Sequence, residues 1–319
     1  KYNYGDEIGK FGLEKTFDSI LRGQNGLVRI DNYSAEKKSV SSNTQYKMNG
    51  KDLYLTLDLN YQRKLYELTE TAMKRKDFNT SNSIAAVAED INSGDILAMV
   101  SYPTFNSNAF VGGISAVKYN EYLNNPGKPL SNKTTQYSQS PGSTFKLLTD
   151  MVALDEGAIT KNTRYSTGSF EFGGVTFYDA ARKNWGEIDM NKALCVSSNI
   201  YHMKASLALN DKTKGKAAEK MNNTFAEMSL DKPSGINIGT ESVGYYPTPE
   251  ERASRGLDWY TGYLLNASIG QGDVRLSPIG LVKLVSTVAS DGNVKQQRLV
   301  LDQENSTSNK QLDIRRSSF

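Results

Sequence analysis

Apolar and polar positions alternate most clearly in three short stretches of the chain. Over Asp52–Asp58, Leu53, Leu55 and Leu57 alternate with Tyr54, Thr56 and Asp58, which predicts a strand. Two further β-rich runs, residues 83–89 and 95–102, flank Asp90-Ile91-Asn92-Ser93-Gly94 and predict a hairpin around a glycine-containing turn. Phe170–Phe177, broken by Gly173-Gly174, predicts two short strands and a tight turn. Elsewhere the spacing is helical. From Asn60 to about Asp77, Leu65, Leu68, Ala72 and Met73 recur at three- and four-residue steps. Ser143 to Leu154 reads as a buried helix closed by Glu156-Gly157. Helices are also predicted over 191–199, 200–209 and 276–289. Residues 103–140 read as irregular, 34–50 as a polar loop or edge, and 302–319 as a loosely held polar tail.

Strands and helices mixed in this way predict an α/β chain of the α+β type, with an antiparallel sheet and flanking helices. Composition narrows the function classes. The 319 residues are 38% hydrophobic and 23% charged, values of a globular chain. A dispersed net charge of +3 gives no reason to expect nucleic acid as a partner. One cysteine, Cys195, excludes an intrachain disulfide, and one histidine, His202, excludes a multi-histidine metal site. No metal or organic cofactor is implied. No run of about 18 apolar residues is present. The chain opens at Lys1 without a signal-like segment. It is read as a fragment whose N-terminal anchor would lie outside it.

The candidate chemistry starts from a serine. Its hydroxyl is a weak nucleophile at neutral pH and needs a neighbouring base and a site for an oxyanion. Ser143 and Lys146 stand three residues apart, on one face of the predicted helix, directly after Pro141-Gly142. The same Ser-x-x-Lys spacing occurs at Ser34/Lys37, Ser115/Lys118 and Ser229/Lys232, where coincidence is the better account. Those three lie in a polar loop, in the irregular region, and ahead of Pro233. Ser197-Ser198-Asn199 could relay a proton and hold a substrate amide. Taken alone, it reads as a helix N-cap, and Ser41-Ser42-Asn43 repeats it.

Ser-x-x-Lys and Ser-x-Asn are two of the three signatures of penicillin-binding proteins and class A β-lactamases. Longer segments resemble class B penicillin-binding proteins more specifically. Gly12-Leu13-Glu14-Lys15 and Leu21-Arg22-Gly23-Gln24-Asn25-Gly26 resemble the end of their pedestal region. Residues 55–62 resemble the entry to the transpeptidase domain, and 93–103 its first hairpin. Pro141–Lys146 resembles the nucleophile segment, with Ser268-Ile269-Gly270-Gln271-Gly272 and Leu276-Ser277-Pro278 as a further hallmark. The segments fall in family order across most of the chain.

The resemblance implies a transpeptidase fold like that of serine β-lactamases. Residues 1–51 would end a pedestal or dimerisation region, 52–301 would form the transpeptidase domain, and 302–319 the tail. Ser143 would be the acylated nucleophile and Lys146 its base. Ser197 and Asn199 would relay a proton and bind substrate. The substrates would be peptidoglycan stem peptides ending in D-Ala-D-Ala, with β-lactams as mimics. Membrane proteins of cell-wall synthesis would be partners, with room for a homodimer, on the outer face of the bacterial cytoplasmic membrane. The third signature, Lys-Ser/Thr-Gly, is absent from the 319 residues. The sheet is therefore expected to be incomplete and turnover by this chain poor.

Other classes fit less well. A β-lactamase would need a deacylating carboxylate, for which Glu171, Glu187 and Glu241 qualify by type only; a β-lactam sensor would not share the N-terminal segment. A Ser-His-Asp hydrolase would have to use His202, which reads as a satisfied structural histidine, and no Gly-x-Ser-x-Gly occurs. Gly173-Gly174 lacks the ending of a phosphate loop. A non-catalytic scaffold of wall synthesis fits the missing third motif, but not the retention of both Ser143/Lys146 and Ser197/Asn199.

Overall fold

The computed structural model describes residues 8–28, 44–75, 81–301, 309–315 and 318. They fall into two compact units, one of residues 1–56, 236–240 and 299–305, the other holding the remainder. In the first unit, helices α1 (Gly12–Thr16) and α2 (Asp18–Leu21) precede a two-residue ladder of β1 (Leu27–Val28) with β2 (Thr44–Gln45). The strand expected over 52–58 is only a single bridge, Leu55 to Val300. Ser34/Lys37 and Ser41–Asn43 lie outside the described residues.

The second unit opens with α3 (Leu59–Met73). The Asp58 carboxylate accepts from the Asn60 and Tyr61 N–H groups and so starts the helix. The hairpin then forms as expected from β3 (Ile84–Glu89) and β4 (Ile96–Tyr102), antiparallel, with its register shifting at Ala88/Glu89. Ile96, Ala98 and Val100 point inward from β4, so burial alternates along a run whose sequence is apolar throughout its first five residues. Residues 103–140 are less irregular than expected. They contain α4 (Ala116–Asn124) and α5 (Lys133–Gln136), each started by a side-chain cap, from Ser115 and Asn132. Ser115 thus pairs with Lys118 as a helix cap.

The segment that carries Ser143 begins as a 3-10 turn, Gly142–Phe145, and continues as α6 (Lys146–Asp155). Strands β5 (Tyr165–Ser166), β6 (Ser169–Phe172), β7 (Val175–Tyr178) and β8 (Glu187–Ile188) pair as β5 with β8 and β6 with β7. Next come α7 (Met190–Cys195), α8 (Asn199–Lys212) and α9 (Ala217–Glu227), then α10 (Pro249–Ser254), α11 (Thr261–Ser268) and α12 (Pro278–Ala289). The core is helical. Phe145, Leu148 and Met151 meet Tyr201 and Leu209 of α8 and Met221 and Phe225 of α9. Phe145 also stacks on Tyr246, ring centres 5.8 Å apart.

The predicted break between two helices at 199/200 lies earlier. Helix α7 ends at Cys195, and Asn199 opens α8 instead of closing its predecessor. The expected loose tail is also corrected in part. Strand β9 (Asn293–Val294) pairs with β10 (Lys310–Gln311), and Leu312 is buried in the helical core. Apolar Leu312 and Ile314 alternate with polar neighbours, so a short polar stretch still has an inward face.

Candidate active site

Ser143 sits exposed on the 3-10 turn, and Lys146, three residues on, is 1% exposed. The turn is strapped to residues 268–276 through backbone groups. Gln139 and Leu276 exchange both hydrogen bonds, at 3.0 and 2.9 Å, and the Gly142 N–H donates to the Gly270 carbonyl at 2.9 Å. The two backbones meet so closely that a Cβ on Gly270 would stand 2.2 Å from the Gly142 oxygen. Gly270 also has φ +68°. Only glycine fits both demands. Thr149 adds a side-chain tie to this segment, its hydroxyl donating to the Ser268 carbonyl at 2.7 Å.

The opposite wall is the break between α7 and α8. The Ser198 N–H reaches the Ala193 carbonyl at 2.9 Å and the Ser197 N–H reaches Leu194 at 3.1 Å. That pair of bonds closes α7 as a Schellman motif, with Ser197 at the left-handed position usually held by glycine. Its φ is +54°. A side chain there costs about 1–2 kcal/mol, and strain of this kind clusters at functional sites.

Lys146 joins the two walls. Its Nζ donates to the Ser197 carbonyl (2.8 Å), the Ser197 hydroxyl (3.1 Å) and Asn199 Oδ1 (2.8 Å). All three ammonium protons are thereby placed, and none goes to a carboxylate. Burial pushes this amine down to about 8, against the opposing pull of Asp179 and Asp150. Ser143 Oγ makes no hydrogen bond among the described residues, leaving it open to an incoming group. The structure therefore brings Lys146, Ser197 and Asn199 into direct contact, with Ser143 one turn away at the mouth.

Buried side chains hold this wall, and sequence reasoning did not single out two of them, Asp179 and Asp150. Asp179, directly after β7, accepts from the Ser198 hydroxyl through both oxygens at 3.0 Å and from the Ile200 N–H at 3.0 Å. Ser198 caps α8 as well, accepting from the Tyr201 N–H at 3.2 Å. The helix-cap reading of this triplet therefore holds for its middle residue, while its outer two face Lys146. His202 is fully buried with both ring nitrogens engaged, one of them on Asp150. Asp150 alone had a sequence signal, four residues beyond Lys146 on one helix face. Of the candidate deacylating carboxylates, Glu171 and Glu187 are exposed on β6 and β8, and Glu241 accepts from the Ser234 N–H at 2.7 Å. The hairpin β6–β7 flanks the site, with the Asn199 amide donating to the Tyr178 carbonyl at 3.5 Å.

Residues 84–318 match the penicillin binding protein transpeptidase domain, and residues 1–55 match the penicillin-binding protein dimerisation domain. The chain is 29% identical over 299 residues to the peptidoglycan D,D-transpeptidase MrdA of Haemophilus influenzae, covering 92% of this chain and 43% of that protein. Identity to MrdA of Escherichia coli K12 is also 29%, over 92% of this chain and 44% of the relative. The chain thus spans under half the length of these relatives. Penicillin-binding protein PBP2 of Helicobacter pylori, solved in complex with MreC, superposes with a TM-score of 0.82 at 25% identity, over 97% of this chain and 55% of that one. A Ser-x-x-Lys turn facing a Ser-x-Asn wall, within a matching fold and over most of the sequence, places the chain in the penicillin-binding protein transpeptidase family.

Proposed function

We propose that this chain carries the acyl-transfer centre of a peptidoglycan D,D-transpeptidase, with Ser143 as nucleophile, Lys146 as base, and Ser197 and Asn199 as relay and substrate contact. The observation that carries the reading is the buried Lys146 amine, held by Ser197 and Asn199 with no carboxylate partner and one turn from an exposed serine. The neutral amine would take the Ser143 proton as Oγ bonds to the carbonyl carbon of the penultimate D-alanine. The C–N bond then breaks, and the departing D-alanine takes a proton back through Ser197. An acceptor amine on a second stem peptide resolves the ester. The Ser143 N–H, on the 3-10 turn, would be one donor to the oxyanion.

The division into a pedestal end (1–51), a transpeptidase region (52–301) and a tail (302–319) belongs to this proposal. So do an extracytoplasmic, membrane-tethered setting and partners in wall synthesis. No helix among the described residues is long and apolar enough to cross a membrane.

The absence of Lys-Ser/Thr-Gly from the 319 residues favours a second reading, a non-catalytic scaffold. A fluorescent penicillin separates the two readings. In the first, intact mass shows one adduct, absent in Ser143→Ala. Its rate rises with pH around 8, where the Lys146 ammonium gives up its proton and becomes a base. A folded protein with no adduct leaves the scaffold.

A further inference from the structure

His202 is the only histidine in the chain and has no exposed surface. Its Nδ1 lies 2.6 Å from the Ser198 carbonyl oxygen. A carbonyl only accepts, so Nδ1 carries a hydrogen. Its Nε2 stands 3.0 Å from Asp150 Oδ2. Two bare lone pairs would repel at that distance, so a proton lies between them. The pair is therefore imidazolium with carboxylate or imidazole with carboxylic acid, and either form is a strong link.

What the ring connects is specific. Asp150 is one helical turn beyond Lys146 on α6. Ser198 lies between Ser197 and Asn199, the two residues that hold the lysine amine. The ring thus spans the two walls from beneath. Asp150 Oδ1 is buried with no partner among the described residues. Asp150 also acts on the lysine through space, opposing the effect of its burial.

We propose that His202 is a positioning residue for acyl transfer. Its ring braces the lysine-bearing helix against the Ser197–Asn199 segment, through Asp150 on one side and the Ser198 carbonyl on the other, and so keeps the Lys146 amine on its acceptors. The inference rests on the acyl-transfer reading above for its purpose, but not for its geometry.

A single histidine makes the geometry directly readable. A long-range ¹H–¹⁵N spectrum of the labelled protein contains one imidazole. The brace predicts a protonated, slowly exchanging Nδ1. A ring protonated at Nε2 and bare at Nδ1 overturns it whether or not the protein acylates. Position is read by crystallography of Asp150→Leu and His202→Phe, where Nζ should leave Asn199 Oδ1. An amine still within about 3 Å of Ser197 Oγ and Asn199 Oδ1 in both variants sinks the proposal. If the parent forms a penicillin adduct, both variants should slow it roughly ten- to a hundredfold, the scale of a small misplacement. Asp150→Asn, whose amide can donate to a neutral Nε2, should restore most of that rate. Equal loss in Asp150→Asn and Asp150→Leu overturns the brace. No adduct in the parent counts against the acyl-transfer reading, while spectrum and crystal structures still decide the brace.

Discussion

The two walls of the cleft are held by different physics. The Ser143 turn is fixed by backbone: a two-residue bridge to Leu276, a bond from Gly142 to Gly270, and an approach that tolerates no Cβ. The Ser197–Asn199 wall is fixed by buried polar side chains, Asp179 under Ser198 and His202 with Asp150 beneath the loop. Steric exclusion is unforgiving and insensitive to pH. A network of carboxylates, hydroxyls and an imidazole is sensitive to charge but can be rebuilt by a neutral mimic. A nucleophile must hold one place, whereas its base must change protonation state there. The division of labour matches that difference.

Substitutions can break the comparison. The largest effect is expected for Gly270→Ala, which meets the Gly142 oxygen and a left-handed φ together. A loss of about 3 kcal/mol or more is expected, with acylation abolished. A denaturation midpoint near wild type would mean that the backbones part easily. Asp179→Ala comes next. It leaves the Ser198 hydroxyl and the Ile200 N–H without their acceptor and should cost about 2–3 kcal/mol, with Asp179→Asn recovering part of it. Equal losses in the two variants would contradict a hydrogen-bonding role. The smallest effect sharpens the point at Ser197. Because its φ is +54°, Ser197→Gly should be more stable than Ser197→Ala by about 1 kcal/mol, while both lose the hydroxyl that meets Lys146. Indistinguishable stabilities would argue against backbone strain there.

The same contrast explains what could be read from the sequence. The hairpin of β3 and β4 was legible because two apolar runs flank a glycine-containing turn, and β6–β7 because a glycine pair marks the turn. The Ser143/Lys146 pair was legible because its spacing and its apolar helix coincide. The break before Asn199 was not, since a Schellman closure normally announces itself with glycine and here uses Ser197. Asp179 was invisible for another reason. Its partners lie 19 and 21 residues away in sequence, and no local period links them. Helices α4, α5, α10 and α11 escaped because they run only four to nine residues, and caps and tertiary packing define short helices more than periodicity does. Residues 309–315 of the expected loose tail were misread because two apolar residues in a polar stretch suffice to dock them, while residues 302–308 lie outside the described residues.

That docked tail has a practical consequence. Leu312 and Ile314 pack into the core, and the Arg315 guanidinium donates to the Leu154 carbonyl at 2.6 Å, at the far end of the helix that starts with Lys146. Ten helical residues span about 15 Å. A fluorophore or spin label at an exposed position such as Asp313 would therefore sit beside one end of a stiff rod whose other end carries Lys146, and its signal would serve as a ruler for events at that amine.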